Sequence, residues 1–229
     1  MVLESRVPVI TIDGPSGTGK GTICHMLANH LRWHFLDSGA LYRVLAFASQ
    51  KKEVDTNHTD ELVLLAKRLN LSFQVDKAQN IAIILDGEDI SRDIRSEYCG
   101  QLASKIAAIP EVREALLARQ RAFAIPPGLV TDGRDMGTIV FPKAILKIYL
   151  DANVEERANR RYLQLKQNGN DASLAQVIDE LRKRDTRDMH RLHAPLKPAA
   201  DAVIIDTTGL TVVQVFDNVL QLANKRLIH

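Results

Sequence analysis

Nine consecutive residues, Gly14-Pro15-Ser16-Gly17-Thr18-Gly19-Lys20-Gly21-Thr22, hold four glycines, a lysine and two threonines. Glycines at this density let successive backbone N–H groups turn toward one anion, which is how such loops cradle phosphates. Lys20 is placed to reach the outer phosphates of a nucleoside triphosphate. Thr22 is a candidate for the water shell of a bound metal. The general pattern puts Ser or Thr directly after the lysine, whereas here Gly21 intervenes.

Three further clusters carry charge suited to phosphate chemistry. Asp37-Ser38-Gly39-Ala40-Leu41-Tyr42-Arg43 reads as a helix start, with Ser38 as its N-cap and Arg43 about one turn along. Asp132-Gly133-Arg134-Asp135-Met136-Gly137 follows a short apolar run. An acid in that place, Asp132, is where phosphoryl-transfer enzymes of this loop type hold magnesium or its waters. Arg184, Arg187, Asp188 and Arg191 fall at i, i+3, i+4 and i+7 and share one helical face. Arg157, Arg160 and Arg161 form a companion group on the preceding helix. Two such faces joined by the Asn168-Gly169-Asn170 turn could close over a triphosphate and neutralise it.

The elements needed to position these groups are legible from periodicity. Val9–Asp13 is a β-branched run that reads as a buried strand, and Ile23, Met26, Leu27 and Leu31 continue at helical spacing. Trp33–Leu36, Leu129–Thr131, Ala144–Leu150 and Val203–Ile205 predict four more strands. Helices are expected at about 59–69, 95–108, 111–122, 154–167, 173–190 and 211–227, with Pro110 and Thr211 as start residues. Leu71–Val75 and Ile81–Leu85, joined by polar Asp76–Asn80, predict an antiparallel hairpin. A hairpin does not belong to an alternating strand–helix chain. Residues 65–103 are therefore read as an insertion into a single domain spanning 1–229, and 154–190 as a helical lid. Five parallel strands between helical layers make a three-layer α/β sandwich of the P-loop type.

Composition sets limits. The 229 residues are 45% hydrophobic and 25% charged, with a net charge of +2, values ordinary for a globular protein. That charge argues against nucleic-acid binding by bulk attraction. No early apolar run is long enough for a signal peptide, and none approaches the ~20 residues of a membrane span. Cys24 and Cys99 have no metal-ligand spacing and are expected as free thiols in a cytoplasmic protein.

Taken together, residues 14–22, 37–43, Asp132–Thr138, Arg184–Asp188 and Ala194-Pro195-Leu196 resemble the bacterial cytidylate kinases, over essentially the whole chain. The Gly-Lys-Gly-Thr spelling is shared by nucleoside monophosphate kinases, which accounts for the displaced hydroxyl. The resemblance implies transfer of the γ-phosphoryl of ATP, with Mg2+, to CMP or dCMP; the chain itself is expected to act as a monomer. Gly14 to Thr22, with Arg157 and Arg161, would bind ATP. Ser38, Arg43, Arg134 and Arg191 would hold the acceptor phosphate, with Tyr42 and Gly133 also in the CMP site, and Asp188 would hold the ribose hydroxyls. Ser104, Arg113 and Asp135 would read cytosine. Arg184 would bridge the two nucleotides, so that Lys20, Arg134, Arg184 and Arg191 form the catalytic set. Any direct metal ligand is left open, with Thr22 and Asp132 acting through water.

Three other readings fit less of the chain. Adenylate kinases usually carry Gln where Ile23 stands, and they lack the Asp-Ser-Gly-x-x-Tyr-Arg stretch. A GTPase would need Asn-Lys-x-Asp, but Asn224-Lys225 leads into Arg226-Leu227. A nucleic-acid module would rest on the basic 182–191 face alone.

Overall fold

The computed structural model describes residues 7–75, 81–167 and 172–227. The expected hairpin turn Asp76–Asn80 and the Asn168-Gly169-Asn170 turn lie outside the described residues. The chain divides into two compact units, one of residues 1–37 and 120–229 and the other of Ser38–Arg119. The second unit thus begins before and ends after the 65–103 stretch.

The larger unit holds a five-stranded parallel sheet: β1 Val9–Asp13, β2 His34–Asp37, β6 Leu129–Gly133, β7 Leu146–Asp151 and β8 Val203–Asp206. Their order is β2-β6-β1-β7-β8. Every residue of β1 and β6 is buried, because parallel strands covered on both faces read as continuous apolar runs. Edge strand β8 alternates half-buried and exposed instead. Helix α1, Lys20–Leu31, packs with α8, Val212–Leu227, against the sheet through Ile23, Leu27, Val215 and Val219. The paired helices α6, Val154–Gln167, and α7, Leu174–Met189, share a small core of Ala158, Leu165, Val177 and Leu181. Reciprocal side-chain caps start two helices. Ser173 and Gln176 exchange bonds at the head of α7, and Thr211 and Gln214 do so at α8.

The smaller unit packs α2 Ser38–Lys51, α3 Thr59–Arg68, α4 Glu97–Ile106 and most of α5 Pro110–Arg121 with an antiparallel sheet of β3 Leu71–Val75, β4 Ile81–Leu85 and β5 Glu88–Asp89. Its own core includes Leu45, Leu62, Ile90, Ile94, Ile106 and Leu116. The sequence predicted two of these strands. The third is two residues long and follows the Asp86-Gly87 turn, too short to show a period.

Several boundaries move for local reasons. Trp33 closes α1, not opening β2, because Arg32 is left-handed and the Trp33 N–H bonds the Ala28 carbonyl. Ser38 is the first residue of α2, not its flanking cap. The expected helix from 95 starts at Glu97, since Asp93–Arg95 forms a 3-10 turn and the Ser96 hydroxyl caps the Cys99 N–H. Strand β7 begins at Leu146 because the Ala144 N–H is turned back onto the Phe141 carbonyl. Met136–Val140 forms a π-helical turn that the sequence reading left as loop. Cys24 and Cys99 are both free and buried. No helix among the described residues is long and apolar enough to cross a membrane.

Candidate active site

In the larger unit β1 is flanked by β6 and β7, and the chain leaves the carboxyl end of β1 into the glycine loop. Such a crevice at the strand ends is where open α/β sheets bind ligands. Gly14 takes φ +144°, and a Cβ there would lie 2.0 Å from the Leu150 carbonyl oxygen, so no other residue fits. The carbonyls of the loop have cationic and hydroxyl partners. Pro15 accepts from Lys20 Nζ at 2.5 Å and from Thr18 Oγ1 at 3.1 Å. Ser16 accepts from Arg157 at 3.1 Å.

Lys20 is buried. Burial pulls its ammonium down to about 7; neighbouring Arg134 and Arg184 act in the same direction, against the opposing pull of Asp132 and Asp13. Thr22, in the first turn of α1, is exposed. Asp132, near the end of β6, is buried, and its Oδ1 has no hydrogen-bond partner. Burial, reinforced by the Asp37 charge, holds its carboxyl well above the ordinary range. An orphaned, desolvated carboxylate oxygen beside a phosphate loop suits a hydrated divalent cation. Among the described residues, no group of three or more His, Cys, Asp or Glu side chains is arranged to hold a metal by itself.

A second centre forms around Asp188 on α7. Its carboxylate accepts from Arg134 Nε at 2.8 Å and from Arg191. Burial alone would raise this carboxyl, but Arg134, Arg191 and Arg184 together hold it below its usual range. The Ala194-Pro195-Leu196 segment is tied to the same place, because the Leu196 N–H donates to the Asp188 carbonyl at 2.8 Å. Arg134 also reaches the Gly133 carbonyl at 3.2 Å, and neighbouring Asp135 is buried.

Arg157 is buried and held by protein groups on three sides. It donates to the Ala152 carbonyl, to the Ser16 carbonyl and to Asp185 at 2.7 Å. A Cβ on Gly17 would meet the Arg157 Cβ at 2.9 Å, so the loop lies directly against this side chain. Arg160 pairs with Glu156 and reaches Thr207. Arg161, on the same helix, is half-buried.

Asp13 was not singled out from the sequence. It is buried at the end of β1, and its two oxygens accept the Met136 and Gly137 N–H groups at 2.9 and 2.8 Å. An acid on the last residue of a buried β-branched strand was the only signal that could have marked it.

The remaining expected residues belong to the smaller unit. Ser38 and Tyr42 are buried on α2. Arg43 donates to the Ile94 and Ser96 carbonyls, and α4 presents Gly100 to its guanidinium, where a Cβ would come within 2.8 Å. The Arg113 guanidinium sits 5.6 Å from the centre of the Tyr42 ring and bonds the Ala107 carbonyl. Ser104 is buried on α4.

The sequence profile of the cytidylate kinase family matches residues 10–225. A cytidylate kinase of Aeromonas hydrophila is 55% identical over 225 residues, covering 98% of this chain and 97% of its own. That of Salmonella typhimurium is 54% identical, covering 98% of this chain and 99% of its own. A solved structure of an uncharacterised protein from Eubacterium ventriosum has a TM-score of 0.52 at 12% identity, covering 96% of this chain and 99% of that one. At that identity the likeness concerns the fold alone. On the profile and the relatives together, the chain belongs to the cytidylate kinase family.

Proposed function

We propose that this protein transfers the γ-phosphoryl group of ATP to CMP or dCMP, giving ADP and CDP or dCDP. One observation carries the reading: a glycine loop with a buried lysine and a guanidinium cluster around Asp188 belong to one unit, coupled through Arg134. Joining two polyanions is the main difficulty of this reaction, and a surplus of fixed cations answers it.

The acceptor's second phosphate pKa is near ~6, so it attacks as a dianion and needs no general base. Lys20 and the loop hold the donor. Arg134 and Arg191 hold the acceptor phosphate, and Arg184 neutralises the group in transfer. Asp188 keeps two of these guanidiniums oriented and accepts from the ribose hydroxyls. Asp135 reads the cytosine amine. Thr22 and Asp132 would hold the water shell of Mg2+, which would supply neutralisation of the donor's phosphate charge. The α6–α7 pair serves as a lid that excludes water from the phosphoryl group. The reading is of a cytoplasmic monomer acting on small molecules, without nucleic acid.

A coupled assay of ADP formation tests this with CMP, dCMP, UMP and AMP as acceptors, with and without magnesium. Turnover should be fastest with CMP or dCMP and should require the cation. Equal or faster turnover of AMP would refute the assignment. Hydrogen exchange over 154–167 and 174–189 should slow when both nucleotides are bound, and unchanged protection would argue against a lid.

A further inference from the structure

Asp13 and Gly133 are register partners at the ends of β1 and β6. The Asp13 side chain takes the first two N–H groups of the π-helical turn that follows Asp135, one on each oxygen. From the other side, the Asp135 carbonyl accepts the Ile139 and Val140 N–H groups at 2.9 and 3.2 Å. The turn has little room to shift, because a Cβ on Gly137 would lie 2.9 Å from Thr11 Oγ1 on β1. Both carboxylate oxygens are therefore spent on backbone donors, and among the described residues no cation is hydrogen-bonded to either. Burial pushes the Asp13 carboxyl up to about 6 even with those two bonds in place. A group that costs this much to bury, beside the phosphate loop, has a geometric use.

We propose that Asp13 is a positioning residue for base recognition. By clamping the Met136 and Gly137 N–H groups it fixes the 133–137 turn, and with it the aim of the Asp135 carboxylate at the cytosine amine. The proposal rests on the reading of Asp135 as the residue that meets that amine. An acidic acceptor distinguishes cytosine from uracil only while its oxygen stays on the donor's line, and displacements near 1 Å cost about a hundredfold in such sites. Asp13 is also the residue before Gly14, so donor loop and base reader share one anchor.

Asp13→Asn keeps the shape, retains one acceptor and turns an amide toward the other N–H. Turnover of CMP and UMP is compared at saturating ATP for the parent, Asp13→Asn, Asp135→Asn and the double variant. Asp13→Asn should lower kcat/KM for CMP about tenfold and narrow the CMP-to-UMP ratio. The KM for ATP should stay within about twofold, which a general loosening of the loop would not allow. In the Asp135→Asn background the same change should narrow the ratio no further, since both act through one carboxylate. If Asp13→Asn leaves the ratio unchanged while Asp135→Asn narrows it, or if the two effects add, the proposal is overturned. A ratio indifferent to Asp135→Asn overturns the base-reading assignment of Asp135, and the route from Asp13 falls with it. Should Asp13→Asn not fold, Asp13→Glu, which displaces both oxygens by one methylene, takes its place with the same outcomes.

Discussion

The glycine loop and the arginine cluster around Asp188 carry charge of the same sign but keep it in different states. Arg134 and Arg191 share a buried carboxylate, so their charge stands whether or not a substrate is present. Lys20 has a carbonyl and a hydroxyl as its hydrogen-bond partners, and burial, helped by nearby guanidiniums and opposed by Asp132 and Asp13, pushes it toward the neutral form. One centre is charged in advance; the other should gain its full charge when an anion arrives. A permanently ionised lysine in the same burial would need its own carboxylate, which would compete with the donor's phosphates. The cluster can keep its carboxylate because two or more guanidiniums outnumber it and leave a net positive charge.

The largest effect should come from breaking the inducible centre. Lys20→Met should lower kcat by about a thousandfold, while CMP still stabilises the fold in a thermal-shift titration. Near-normal turnover would remove Lys20 from the donor site. Next is the support behind the loop. Arg157→Met leaves Asp185 buried without its cation and the Ser16 carbonyl without its donor. Breaking one side of a buried pair costs about 3 kcal/mol or more, which for a chain of this size lowers the melting temperature by roughly 6–12 °C. Unchanged melting, with a raised KM for ATP, would mean that Arg157 serves the nucleotide and not the loop.

The standing centre can be tested with Asp188→Asn, which keeps the shape and removes the charge that orients two arginines. It should reduce kcat/KM for CMP by about a hundredfold with a much smaller change in the KM for ATP. Equal losses toward both substrates would mean that the two centres are not separable.

How much of this was legible beforehand follows from the range of each interaction. The loop, the flanking strand and α1 are local patterns, and glycine spacing with periodicity revealed them. The end of α6 was legible too, because Asn168-Gly169-Asn170 follows Gln167 directly in the sequence. Helical spacing showed that Arg157, Arg160 and Arg161 sit close together on α6. It could not show what faces them, and the structure engages Arg157 with Ser16 and Asp185, and Arg160 with Glu156 and Thr207. Asp13 was out of reach for the same reason, since its partner Met136 stands 123 positions away. The π-helical turn after Asp135 receives that bond and has no periodic signal of its own.

The smallest effect is the most direct test of the difference between the centres, because it reads a proton. In the free protein Lys20 is held at about 7, so much of it is neutral at mildly alkaline pH. Phosphate oxygens favour the ammonium form, so bound donor raises the lysine's pKa and binding takes up a proton. The sign follows from linkage: above pH 7 the complex holds more protons than the free protein, so affinity falls as pH rises, by at most about tenfold per unit. The window runs from about 7 up to the lysine's pKa in the complex. Measurement should start near pH 7.5, where nucleotide phosphates with pKa near ~6 are already ionised. Folding shows the opposite slope over the same range. Unfolded Lys20 would return to its ordinary 10.5 and bind the proton that the native state lacks, so this residue makes the free protein more stable as pH rises from 7 toward 10. Calorimetry of ATP binding in buffers of different ionisation enthalpy should therefore show proton uptake at pH 8, absent in Lys20→Met. CMP binding, which faces guanidiniums that do not titrate, should show little uptake at that pH. Equal uptake for both nucleotides would place the titrating group outside the donor loop and erase the distinction between an induced charge and a standing one.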